Sequence, residues 1–196
     1  MSEQQPYEGF QGKVGRTFAG SEPWWPPRQE APEGAPNILV VLVDDLGYAD
    51  VGCYGSEIRT PNIDALAERG VRYTNYHSTP MCSPTRSALL TGLNSHRVGL
   101  GHVAHSDAGF PGYAMELTDH AATMAEIFRD AGWATFMAGK WHLSKDSDLN
   151  AGGPVASWPC QKGFDRYYGI LDGFTNLHQP HRLIQDNSVV EVDRYP

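Results

Sequence analysis

The hydrophobic pattern of the chain changes abruptly at Asn37. Before it, Pro6, Pro23, Pro26, Pro27, Pro32 and Pro36 interrupt residues 1–36, and no apolar stripe of helical or strand period survives. This stretch reads as an irregular Pro-rich arm, with Trp24-Trp25 available to lie on a domain surface. From Ile38 to Val43 the aliphatic run is unbroken, which suits a central parallel strand covered on both faces. Thr60-Pro61 is a helix start, Ile63, Leu66 and Ala67 make its apolar face, and Gly70 ends it. Residues 71–76 read as a short strand and 83–90 as a second helix that stops near Gly92. A third helix is expected from Thr118 or Asp119, with Met124, Ile127, Phe128 and Ala131 on one side and Gly132 at its end. Residues 133–138 come next as a strand, 144–159 as loop, and 189–192 as the start of another strand. Alternating strands and helices predict an α/β fold, a mostly parallel sheet sandwiched by helices.

Charge and composition narrow the function. The 196 residues suffice for a domain over 37–196 with a real core, and a net charge of −8 speaks against nucleic acid as a partner. No apolar run reaches the ~20 residues of a membrane helix, and residues 1–36 carry no apolar signal region, so a cytoplasmic protein without membrane contact is expected. Cys53, Cys82 and Cys160 are too few and too scattered for a disulfide framework or a zinc site. Cys53 and Cys160 read as small fillers.

Cys82 differs. In an open α/β sheet, ligands bind beyond the carboxyl ends of the strands, and two polar groups are expected there. Asp44 and Asp45 follow the first strand, and Lys140 and His142 follow the strand at 133–138. Adjacent carboxylates repel unless a cation relieves them, and their oxygens suit calcium or magnesium. The alternative is a turn capped by Asp44, with Asp45 solvated. Cys82 precedes a helix, at the positive end of its dipole, and Arg86 lies one turn further on the same face. That arrangement suits a thiol nucleophile or a phosphate-binding loop, and the alternative is a cysteine that merely caps the helix.

The motif Cys82-x-Pro84-x-Arg86, continued by Ser87-Ala88-Leu89-Leu90-Thr91-Gly92, resembles the signature of type I sulfatases. These are the formylglycine-dependent, arylsulfatase-like members of the alkaline-phosphatase-like superfamily. Asp44-Asp45-Leu46-Gly47, Thr60-Pro61-Asn62-Ile63-Asp64, Gly139-Lys140-Trp141-His142-Leu143 and Gly163-Phe164-Asp165 are similar to further family motifs, in the family's order. The resemblance implies a sulfuric ester hydrolase acting on a small-molecule sulfate ester. A maturation enzyme would oxidise Cys82 to formylglycine (3-oxoalanine), whose hydrate attacks sulfur and then expels sulfate. A calcium ion would be held by Asp44, Asp45 and the side chain at 82. Arg86 would orient the hydrate, Lys140 would contact the sulfate, and His142 would assist deprotonation.

The resemblance also implies later residues that cannot be assigned before Pro196: an Asp-Asn or Asp-Gln metal pair, a second His and a second Lys. Asp186-Asn187 comes too early for that pair. The chain therefore reads as the N-terminal part of the catalytic domain, with the C-terminal remainder absent. Two alternatives stand beside the sulfatase reading: a formylglycine-dependent phosphonate or phosphodiester hydrolase, and an inactive remnant that only binds metal or anion. His77, His96, His102, His105 and His120 read as loop or surface residues, and His178 and His181 as an exposed loop, with the lining of a substrate entrance as the alternative.

Overall fold

The computed structural model describes residues 9–27, 30–150, 152–176, 178–180 and 182–191. Its core gathers around Trp141, which has no exposed surface and packs with Leu100, Leu117, Leu143, Tyr167 and Ile184. The indole nitrogen of Trp141 donates to Ser157 O at 2.9 Å and Ser144 Oγ at 3.1 Å, so this buried ring leaves no orphaned donor.

Three helices form. α1 spans Pro61–Arg69, with proline in its first turn as the sequence predicts. Thr60 does not cap it through the side chain; its hydroxyl accepts from Gly52 N–H at 2.8 Å and donates to Asp64 at 3.0 Å. α2 spans Cys82–Thr91 and stops at Gly92, whose φ of 67° lets its N–H reach Ala88 O at 2.9 Å. α3 spans Met124–Asp130 and so begins later than Thr118 or Asp119. The reason is a capping box: Thr123 Oγ1 accepts from Glu126 N–H at 3.1 Å, and Glu126 accepts from Thr123 N–H at 2.7 Å. Asp119 pairs instead with Lys162 at 2.5 Å. No described helix is long and apolar enough to cross a membrane.

Among the described residues the sheet has four strands in the order β1 (Phe136–Lys140), β2 (Arg166–Ile170), β3 (Leu183–Gln185) and β4 (Ser188–Val189). β1 and β2 are parallel, and the other two pairings are antiparallel, so the α/β fold carries a mixed sheet rather than a mostly parallel one. Gly139 lies opposite Gly169, where any Cβ would run into the Gly139 backbone. Asp186 sits at the β3–β4 turn with φ 56° and accepts from Tyr167 N–H at 3.0 Å and Arg166 at 2.7 Å. The Asp186-Asn187 pair thus belongs to a hairpin. The expected strand at 189–192 begins in β4, and Val192 lies outside the described residues.

Two expected strands do not form. Residues 38–43 and 71–76 pair with no strand among the described residues, and Leu39 is 87% exposed and Val71 81%. An apolar run becomes a strand only where a neighbour offers a backbone ladder, and none of the described segments does so. The strand expected at 133–138 begins at Phe136, because Thr135 N–H is drawn off to Asp165 at 2.9 Å.

Thr123 is fully buried, and its hydroxyl also donates to Lys162 O at 2.6 Å. Thr123→Ala is expected to lower stability by about 1–2 kcal/mol, read as a lower urea midpoint at unchanged slope. An unmoved midpoint would show that the capping box does not hold α3.

Candidate active site

β1 and β2 run parallel, so the residues just beyond each strand are delivered to the same end of the sheet. The pairing continues past Lys140: Trp141 N–H donates to Ile170 O at 2.9 Å, and His142 N–H to Leu171 O at 3.0 Å. Trp141 turns into the core. His142 then adopts φ 55°, a left-handed conformation uncommon outside glycine, and is fully buried.

α2 presents its first residue to this point. Cys82 Sγ lies 3.1 Å from His142 Nδ1. One turn on, Arg86 is 8% exposed, donating through Nη1 to Lys140 O at 2.7 Å and through Nη2 to Asp44 Oδ1 at 3.0 Å. Lys140 Nζ donates to the other Asp44 oxygen at 2.8 Å. Cys82, Arg86, Lys140 and His142 are therefore brought together, with Asp44 joined to them. Asp45 comes next with φ 54° and is exposed; it lines the same cleft, about 590 Å³ in volume, as Asp44, Cys82 and Arg86.

Charge and burial act on these groups in opposite directions. Partial burial alone would raise the Asp44 pKa, but the bonds and charges of Lys140 and Arg86 outweigh it and hold the carboxyl below its usual value. At His142 burial is the main cause of a pKa lowered to about 3, reinforced by Lys140, His105 and Arg86 and opposed by Asp44. The ring is neutral at pH 7. Arg86 Nε is buried with no acceptor among the described groups.

Three neighbours were not singled out from the sequence. His105, read as a loop or surface residue, is on an exposed loop, yet its Nδ1 lies 3.2 Å from His142 Nε2. Phe174 holds its ring 5.2 Å from that of His105 and 5.9 Å from Lys140 Nζ. At Gly173 a Cβ would sit on the edge of the His142 ring. Gly173 and Phe174 were findable, since they lie just beyond β2 at the ligand-binding end of the sheet. Nothing in the local sequence marks His105. Of the remaining histidines, His77 lines the main cleft and bonds Asn75 at 2.8 Å, and His96 bonds Tyr113 at 3.3 Å. His178 is exposed and His181 lies outside the described residues. Cys53 and Cys160 are free and half-buried, and burial raises the Cys160 thiol pKa.

Among the described residues no group of three or more His, Cys, Asp or Glu is gathered as for a metal ion. Asp44 and Asp45 have the hard oxygens that calcium prefers, but calcium takes about 6–8 of them, and both Asp44 oxygens already accept from cations. The chemistry fits; the number does not. These residues make only a fraction of a calcium shell.

A cysteine-led helix, two cations and a buried imidazole thus meet at one end of the sheet, and comparison with known proteins gives the family. The sulfatase family model matches residues 36–187. A sulfatase of Schizosaccharomyces pombe is 43% identical over 155 residues, which is 76% of this chain and 26% of that protein. The arylsulfatase of Klebsiella aerogenes is 41% identical over 148 residues, 74% of this chain and 30% of that protein. The crystal structure of Ps i-CgsB superposes with a TM-score of 0.62 at 29% identity, covering 78% of this chain and 36% of that one. The chain belongs to the sulfatase family, and spans roughly a quarter to a third of the length of its relatives.

The His142 environment sets a pH dependence. Its folded pKa of about 3 lies below the ordinary 6.5, so between those values the unfolded chain binds a proton that the folded chain refuses. Stability should therefore fall as pH drops from about 6.5 towards 3, with a slope of at most ~1.4 kcal/mol per pH unit from this residue. Urea titrations across that range should show His142→Gln with a shallower fall than the parent. Equal slopes would mean that burial does not hold His142 neutral.

Proposed function

We propose that this chain carries the nucleophile end of an arylsulfatase-type sulfuric ester hydrolase. The observation that supports this most is the convergence of Cys82, Arg86, Lys140 and His142 at one end of the sheet, with Asp44 between the two cations. Once position 82 is oxidised to formylglycine and hydrated, it supplies two geminal hydroxyls, one a nucleophile toward sulfur and the other a means of expelling sulfate. Position 82 suits that role, since it lines the cleft and faces an imidazole nitrogen.

The remaining work falls to this chain's own residues. Arg86 and Lys140, the two cations beside position 82, bind the sulfate oxygens. His142 presents Nδ1 to position 82 and takes a proton from the hydroxyl there. The same two cations help hold His142 neutral in the free protein. An arriving sulfate offsets their charge and raises the proton affinity of His142 when the hydroxyl must lose its proton. Asp44 and Asp45 are this chain's share of the ligands for calcium, which would polarise the sulfate oxygens.

In protein from its native host, mass spectrometry of the peptide bearing residue 82 should show an aldehyde in place of the thiol. Cys82→Ala should abolish hydrolysis of a nitrophenyl sulfate without unfolding the protein. A wholly unmodified cysteine, or faster turnover of the matching phosphodiester, would overturn the assignment. In the same protein, Asp44→Asn and Asp45→Asn should each weaken calcium binding in calorimetry and lower turnover together. If neither binding nor turnover changes, the carboxylates are not ligands.

A further inference from the structure

A neutral imidazole has one donor and one acceptor nitrogen, so the partner of one nitrogen decides what the other can do. At His142, Nδ1 faces Cys82 at 3.1 Å and Nε2 faces His105 Nδ1 at 3.2 Å. The two rings are inclined by only 10° with centroids 5.3 Å apart, close to that nitrogen–nitrogen distance plus two ring radii. They lie almost edge to edge in a common plane, the geometry of an in-plane N–H···N bond rather than of a face-to-face stack.

This contact is built from several sides. His105 lies on an exposed loop, but that loop is tied to the nucleophile helix: Ala104 N–H donates to Ser83 Oγ at 3.1 Å, and both residues are fully buried. Ser83 is the neighbour of Cys82, so this hydrogen bond joins the first turn of α2 to the loop that carries His105. Phe174 packs against both imidazoles, 5.2 Å from His105 and 6.2 Å from His142. The edge of His142 that His105 approaches is open because residue 173 is glycine. His105 also lines a second cleft of about 270 Å³ with Asp146, Asp172 and Arg182.

We propose that His105 is a positioning residue for His142, fixing the plane of its ring and keeping its proton on Nε2. This rests on His142 serving position 82 as the base of the sulfatase reading. With His142 Nε2–H donated to His105 Nδ1, the other nitrogen of His142 is left as an acceptor facing position 82. His105 then carries its own proton on Nε2.

Two substitutions at this exposed site separate a hydrogen-bonding role from a space-filling one. His105→Phe keeps a ring against Phe174 but cannot accept a bond. His105→Asn keeps an acceptor near the Nδ1 position but has no ring. In the protein from its native host, His105→Phe should lower kcat on a nitrophenyl sulfate by about 10–100-fold with KM little changed, and His105→Asn should recover most of it. Long-range 1H–15N spectra of histidine-labelled protein should place the His142 proton on Nε2 in the parent and in His105→Asn, and show mixed tautomers in His105→Phe. A parental kcat in His105→Phe, equal losses in the two variants, or a His142 tautomer unmoved by His105→Phe would each overturn the proposal. If the parent hydrolyses no sulfate ester at all, the sulfatase reading fails while the tautomer spectra still decide the role of His105.

Discussion

Asp44 accepts from two cations at once, Arg86 at 3.0 Å and Lys140 at 2.8 Å, and these come from a helix and from the end of a strand. Left alone, the two positive groups would repel each other, and Arg86 also donates to the backbone of Lys140 at 2.7 Å. A carboxylate between them relieves that repulsion and sets the spacing of the pair. It ties residues separated by 42 and 96 positions in the chain. The depressed pKa of Asp44 is the other side of the same contact, because the cations favour its charged form more than burial opposes it. An anionic ligand near these two cations would compete with Asp44 for the same donors.

Behind the clamp the site depends on how β1 ends. Backbone pairing to β2 carries Trp141 into the core, and the left-handed turn at His142 then points an imidazole at the start of α2. Of the order of 1–3 kcal/mol of backbone strain at such a residue persists only where its surroundings hold it. Here a buried indole on one side and contacts at both ring nitrogens on the other do so. Because His142 is buried beside two cations, it stays uncharged, and its ring nitrogens can be divided between position 82 and His105.

Much of this is legible in the chain itself. Proline at the head of α1 and Gly92 at the foot of α2 place two helices as expected. The reading of α3 failed by a few residues because the Thr123–Glu126 box outcompeted the earlier Thr118 and Asp119. The run at 38–43 has the composition of a strand, but composition carries no information about whether a partner ladder lies beside it. The chemistry-bearing residues were legible for a different reason. Cys82 and Arg86 are one helical turn apart, and Lys140 and His142 share a strand end, so local geometry alone unites each pair.

The sequence by itself determined the residue types, their spacing and hence the family. Those properties rest on short-range rules of helix turn and strand alternation that act within a few residues. Only the tertiary structure decided that Asp44 faces Arg86 and Lys140 while Asp45 does not join them, and that the sheet is mixed. It alone brought His105 to His142 across 37 residues, through a loop fastened to Ser83. Such contacts depend on where separate segments are carried by the packing around Trp141, and no local pattern records that destination.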